Sequence, residues 1–123
     1  MMNQPLKDRH FEFITSENAR DVYERLAAAC EKRPGGCDDA CLLLIADYCR
    51  NEQLKEMLLS DIQARGLGRE VNNYRQKYYK PNESVAHLRA VIEQQRKLLN
   101  ELRLTPASNK AEQVTINDEL QDF

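Results

Sequence analysis

The sequence predicts an all-α protein. An N-terminal helix precedes a long antiparallel helical hairpin, a loop or short β-hairpin sits between the two long helices, and a flexible acidic tail follows. Three observations lead there. Glycine and proline number only four each, too few for a turn-rich strand protein. Charged residues make up 31% of the chain beside 41% hydrophobic ones, a mixture that suits amphipathic helices with solvated outer faces. Within residues 81–106, PNESVAHLRAVIEQQRKLLNELRLTP, the positions Val85, Leu88, Ile92, Gln95, Leu99 and Leu102 alternate at steps of three and four. That is a heptad seam, interrupted once by Gln95 and widened by Val91 and Leu98, and it requires a partner helix.

The chain in order justifies each element. Residues 1–14 mix Pro5, charges, Phe11 and Phe13 without a sustained period, and are expected to form a flexible arm that docks through Phe11, Phe13 and Ile14. Thr15 or Ser16 caps a helix whose apolar stripe is Ala19, Val22, Tyr23, Leu26, Ala27 and Cys30, with Glu17 and Asp21 favouring its start. Pro34-Gly35-Gly36 ends it. Asp38 or Asp39 caps a second helix of about 27 residues, roughly 40 Å long, running to Gly66. Its first half, Cys41 to Ala46, is apolar all round and is expected to be buried all round. Its second half splits, with Leu58, Leu59 and Ile62 on one face and Leu54 and Met57 on another. A small chain lacks partners for both faces, so self-association is expected to cover one.

Gly66-Leu67-Gly68 breaks the helix. REVNNYRQKYYK, residues 69–80, is either a plain loop or a short β-hairpin turning at Asn72-Asn73. Pro81 closes it and Asn82 or Ser84 caps the seam helix. Beyond Leu104, Thr105 caps a short last turn with Pro106 at its first position. NKAEQVTINDELQDF, residues 109–123, is acidic and aperiodic and reads as a mobile tail. Residues 15–108 are thus a single helical domain between an arm and a tail.

Charge is distributed unevenly. Residues 65–103 hold nine basic and four acidic side chains, whereas the segments on either side are net acidic. A basic middle between acidic ends suits a polyanionic partner, although lysines and arginines on the wet faces of helices would give the same count. The first residues lack the apolar segment of a signal peptide, and no run approaches the ~20 apolar residues of a membrane span. A soluble, cytosolic protein without membrane contact is therefore expected, with Cys30, Cys37, Cys41 and Cys49 as reduced thiols.

Catalytic constellations are absent. There is no Gly-rich phosphate loop, His/Glu zinc motif or nucleophile elbow. The cysteine spacings match no zinc finger or knuckle, and His10 and His87 are isolated. No metal, no cofactor and no enzymatic activity are expected. The functional candidates are Arg65, Arg69, Arg75, Lys77 and Lys80, set against Glu70 alone and interleaved with Tyr74, Tyr78 and Tyr79. Such residues neutralise phosphates in a salt-sensitive, largely sequence-independent way. The alternative is a surface loop whose tyrosines pack on the helices. A divergent helix-turn-helix from the first two helices is disfavoured by Asp38, Asp39 and Asp47 near its turn.

The run Arg103-Leu104-Thr105-Pro106-Ala107-Ser108-Asn109-Lys110 resembles the Gly-Leu-Thr-Pro-Ala-Ser/Ala-Arg signature that ends the last long helix in one group of small terminase subunits of tailed bacteriophages. Arg103 replaces the glycine, and Asn109 the final arginine, or Lys110 displaces it. Lys80-Pro81-Asn82 opening the seam helix, and Ile62-Gln63-Ala64-Arg65-Gly66-Leu67 ending the long one, are similar to the same group. The likeness spans residues 41–108. It implies a non-enzymatic, ring-forming homo-oligomer in the cytoplasm of the bacterial host that engages double-stranded viral DNA and regulates the large ATPase/nuclease subunit. On that reading Arg65, Arg69, Arg75, Lys77 and Lys80 contact DNA, and the acidic tail docks the large subunit. Leu54, Met57, Leu58, Leu59, Ile62, Val85, Leu88, Ile92, Leu99 and Leu102 build the hairpin core and the oligomer. The competing expectation is a coiled-coil-like adaptor that oligomerises through the seam, with Gln95 as its register device, and never binds nucleic acid.

Overall fold

A computed structural model describes residues 3–104. Among them are four helices, α1 (Gln4–Phe13), α2 (Glu17–Glu31), α3 (Asp39–Arg65) and α4 (Glu83–Glu101), and one antiparallel pair of strands, β1 (Gly68–Asn73) and β2 (Gln76–Pro81), between α3 and α4. No helix among the described residues is long and apolar enough to cross a membrane. The short turn expected at Thr105-Pro106 and the acidic tail at 109–123 lie outside the described residues.

Helix starts follow the local chemistry. Ser16, Asp38 and Asn82 are the N-caps of α2, α3 and α4, each accepting a backbone N–H from the first turn. Gly35 and Gly36 turn the chain between α2 and α3 with φ of 90° and 67°, in the left-handed region that costs other residues energy. Arg33, just before this turn, donates to the backbone carbonyl of Leu102, tying the end of α4 to the end of α2.

The core lies between α2 and α3. Ala19, Tyr23, Ala27 and Cys30 of α2 meet Leu42, Ile45, Ala46 and Cys49 of α3, with Ile14 and Leu102 sealing the ends. Each large side chain removed from water here contributes about 1.5–3 kcal/mol. Cys37 and Cys49 pack as apolar groups, and burial pushes both thiols up to about 12. The first half of α3 is not buried all round as expected, for Leu43 is 54% exposed. The neighbouring helices cover only part of its circumference.

Residues 4–13 form α1 instead of a flexible arm. Asn3 caps the helix, and its inner face carries Leu6 and His10, with Ile14 just beyond its end. His10 is buried, and its Nδ1 lies 2.7 Å from the Tyr23 hydroxyl; Phe11 packs edge-on against the same ring. A histidine therefore occupies an apolar position of the stripe, which hides the helical period from a hydrophobicity reading. Arg20 donates to the carbonyls of Phe11 and Ile14, and the Gln53 side chain bridges Phe13, Thr15 and Ser16, so the turn into α2 is satisfied by side chains.

Helix α4 runs antiparallel to α3. Ser84 Oγ donates to Asp61 at 2.6 Å, and Gln95 Nε2 donates to Glu52 at 3.1 Å and to the Tyr48 carbonyl at 3.3 Å. The buried line is Ser84, Val91, Gln95, Leu98 and Leu102. It keeps Gln95 and Leu102 of the expected seam but takes Ser84 and the flanking Val91 and Leu98 in place of Val85, Ile92 and Leu99. Val85, Leu88 and Leu99 are half-buried, and Ile92 is 49% exposed. With apolar residues on both flanks, heptad spacing alone leaves the rotation of the helix open. The buried Gln95 amide, which must meet acceptors on α3, selects it.

Candidate nucleic-acid interface

The basic, tyrosine-rich segment is a β-hairpin. Its six pairs run from Gly68↔Pro81 to Asn73↔Gln76, so the turn falls at Tyr74-Arg75 and not at Asn72-Asn73. Asn73 Oδ1 accepts the Arg75 N–H at 3.4 Å, the local bond that a short polar side chain offers a turn. Val71 stands opposite Tyr78, a β-branched and aromatic pair of the kind that stabilises two-stranded ladders. The two strands pack chiefly on each other, and nearly every side chain in them is exposed. The expectation that the tyrosines pack on the helices is not met: Tyr74 is 99% exposed, Tyr79 61% and Tyr78 45%.

The base of the hairpin is clamped to the helices. Arg65 makes a two-pronged pair with Asp61, both bonds 2.7 Å, and donates to Asn82 at 2.9 Å. Asn82 caps α4, donates through its side chain to the Gly66 carbonyl, and donates its backbone N–H to Leu67. The hydrogen bonds from Arg65 and then Ser84 hold the Asp61 carboxyl well below the usual carboxylate range. Any β-carbon at residue 68 would collide with the Tyr79 hydroxyl and the Lys80 carbonyl, so Gly68 is required there. Arg65, Gly68, Arg69, Lys80, Pro81, Asn82 and Glu83 line a cleft of about 340 Å³ at this junction.

The five basic residues singled out from sequence therefore differ in placement. Arg65 is committed to Asp61 and Asn82 and belongs to the clamp. Arg69 and Lys80 face each other across the ladder, and Arg75 sits in the turn. Lys77 lies 4.0 Å from Glu70, an exposed and weak pairing. The contact between Asp61 and Ser84 carries no signal in the sequence, because nothing local marks a bond between residues so far apart in the chain, although the spacing of Asp61 and Arg65 is that of a helical ion pair. What the ribbon can do chemically is present cations and aromatic rings along an exposed strand pair of about 20 Å.

The apolar candidates are also divided. Leu102 is buried at 1% exposure, and Leu58 and Ile62 are half-buried. Leu54, Leu59 and Met57 are 43%, 48% and 69% exposed. With Ile92 and Leu43, they leave apolar surface on α3 and α4 that no described residue covers.

Neither the curated proteins nor the solved structures include a match to this chain. A family model described as phage terminase, small subunit, matches residues 19–119, taking in all but the first two residues of α2, then α3, the hairpin and α4. The match covers most of the chain, and the chain belongs to the phage terminase small-subunit family.

Proposed function

We propose that this protein is the non-catalytic subunit of a phage DNA-packaging terminase, forming a homo-oligomeric ring that engages double-stranded viral DNA and regulates the large ATPase/nuclease subunit. Family membership supports the packaging role. The observation that carries DNA engagement is the hairpin: Arg69, Arg75, Lys77 and Lys80 stand exposed on a ribbon whose only acid is Glu70. Exposed Leu43, Leu54, Met57 and Ile92 support association between copies, since water-exposed apolar surface of this kind is stabilised by covering it. The acidic residues 109–123 are assigned the docking of the large subunit, in the cytoplasm of the bacterial host. Arg65 leaves the DNA-contacting set on this reading, its charge being neutralised by Asp61.

The test is fluorescence anisotropy on a duplex of mixed sequence across a salt series. Removing one phosphate-neutralising cation should lower the slope of log affinity against log salt by about 1. Arg69→Glu/Lys77→Glu/Lys80→Glu should weaken binding and flatten that slope by about 3, with the helical circular dichroism retained. An unchanged slope would remove the hairpin from the interface. Light scattering should find an assembly that Leu54→Asp/Met57→Asp dissociates, and a monomer at all micromolar concentrations would sink the ring.

A further inference from the structure

Strand alternation and the pairing register divide the hairpin into two unlike faces. Gly68/Pro81, Glu70/Tyr79 and Asn72/Lys77 share one of them. It is internally matched: Lys77 approaches Glu70, and Tyr79 lies over Gly68. The other face carries Arg69/Lys80, Val71/Tyr78 and Asn73/Gln76. No acid lies on it. Its two cations are directly opposed, an arrangement that destabilises a ladder, and an isolated two-stranded hairpin is marginal in water to begin with. Folding alone gives no reason for this face.

We infer that the face of Arg69, Lys80, Val71, Tyr78, Asn73 and Gln76 reads DNA sequence by entering the major groove as a two-stranded ribbon. The inference rests on the proposed DNA engagement and adds the element, the face and the groove. Two strands about 4.8 Å apart, with their side chains, fit a groove about 12 Å wide. The residue types suit base edges: the Asn73 and Gln76 amides can each bond N6 and N7 of adenine, and Arg69 or Lys80 can bond O6 and N7 of guanine. The like-charged pair, unfavourable in water, is neutralised by the polyanion on either side of the groove. At the end of the ribbon Tyr74 and Arg75 are both exposed, Tyr74 almost fully, and so are accessible to the duplex.

The experiment selects preferred sequences for the full chain from a pool of randomised duplexes about three helical turns long. It then compares the selected duplex with a scrambled one by anisotropy for wild type, Asn73→Ala/Gln76→Ala, and Asn72→Ala on the opposite face. Wild type should prefer the selected duplex by at least about tenfold, the discrimination that one good amide–base pair provides. Asn73→Ala/Gln76→Ala should lose that preference while binding scrambled DNA within about twofold of wild type, because phosphate contacts are untouched. Asn72→Ala should keep it, and the major-groove ligand methyl green should compete where the minor-groove ligand netropsin does not. These side chains are exposed, but Asn73→Ala also removes the 3.4 Å bond to the Arg75 N–H at the turn. Gln76→Ala alone, which leaves that bond in place, should therefore reduce the preference as well while keeping wild-type circular dichroism and amide protection across 68–81. A preference that survives Asn73→Ala/Gln76→Ala, that vanishes in Asn72→Ala, or that wild type never shows, overturns this inference and leaves electrostatic DNA binding standing. Failure of wild type to bind any duplex overturns both.

Discussion

Replacing Gln95 with alanine tests whether the seam of α4 is closed within the chain. Gln95 is 4% exposed and donates to Glu52, itself 9% exposed, at 3.1 Å. A hydrogen bond to a charged group contributes about 1.5–3 kcal/mol. Truncation also removes a buried methylene worth about 0.8 kcal/mol. Lys55, 3.0 Å from Glu52, remains and limits the cost of the orphaned carboxylate. A loss of about 2–3 kcal/mol follows, which in a domain of this size lowers the melting temperature by roughly 10–20 °C. Gln95→Leu should lose less, because it restores apolar contact with the neighbouring Val91 and Leu98. The assay is thermal unfolding by circular dichroism at one fixed protein concentration, with the mass followed by light scattering, since oligomerisation makes the midpoint concentration-dependent. A double-mutant cycle with Glu52→Ala should return a coupling of about 1 kcal/mol or more. The reasoning is refuted if Gln95→Ala costs under about 0.5 kcal/mol, or if either variant changes oligomer mass while leaving the melting point alone. That second result would make Gln95 the register device of an interchain coiled coil and revive the adaptor reading.

Acidification should loosen α1. Burial lowers the His10 pKa against a smaller opposing effect of Asp47, so the unfolded chain binds a proton more readily than the folded one. Stability is then fully present above the ordinary histidine pKa of about 6.5 and falls as pH drops from there through the depressed folded value. Thermal midpoints measured from neutral pH down to about 5 should show this decline, and His10→Asn should flatten it. Thiol labelling with iodoacetamide at mildly alkaline pH should modify half-exposed Cys41 first, because Cys37 and Cys49 are buried with pKa values pushed up to about 12; rapid labelling of Cys49 in folded protein would contradict the core packing. Gly68→Ala should displace Tyr79 and abolish amide protection across 68–81 while α2 and α3 keep theirs, and hydrogen exchange would reveal any spread into the helices.

Much of the candidate interface is legible in the sequence because its signals are local. The cations and tyrosines of 65–80 are contiguous, and the breaks at Gly66 and Pro81 mark their limits. The turn is misplaced by a sequence reading because an Asn-Asn pair is a strong local turn signal, whereas register is set by pairing over the whole ladder. Asn73 and Gln76 escape notice for the same reason: only when the turn sits at Tyr74-Arg75 do they share a face with Arg69 and Lys80. Arg65 groups with its basic neighbours in sequence although its spacing from Asp61 is that of a helical ion pair, and only the fold shows that this pair is tied on to Asn82 and Ser84.

The sequence by itself determined the helical class, the glycine turn after α2 and the basic segment between the long helices. It narrowed each cap to a pair, Thr15 or Ser16, Asp38 or Asp39, Asn82 or Ser84, from which the fold takes Ser16, Asp38 and Asn82. These follow from propensity, capping and charge over a few residues, which act before any tertiary contact forms. Tertiary structure alone decided that α1 is a helix and that α4 faces α3 through Val91 and Leu98. It also decided that Leu54, Met57 and Ile92 stay exposed. In each case the deciding partner is remote: Tyr23 for His10, Glu52 for Gln95, and for the exposed residues the lack of any covering element among the described residues. Local sequence encodes the amphipathic period, but the rotation of a helix about its axis is chosen by whichever distant group satisfies its buried polar atom.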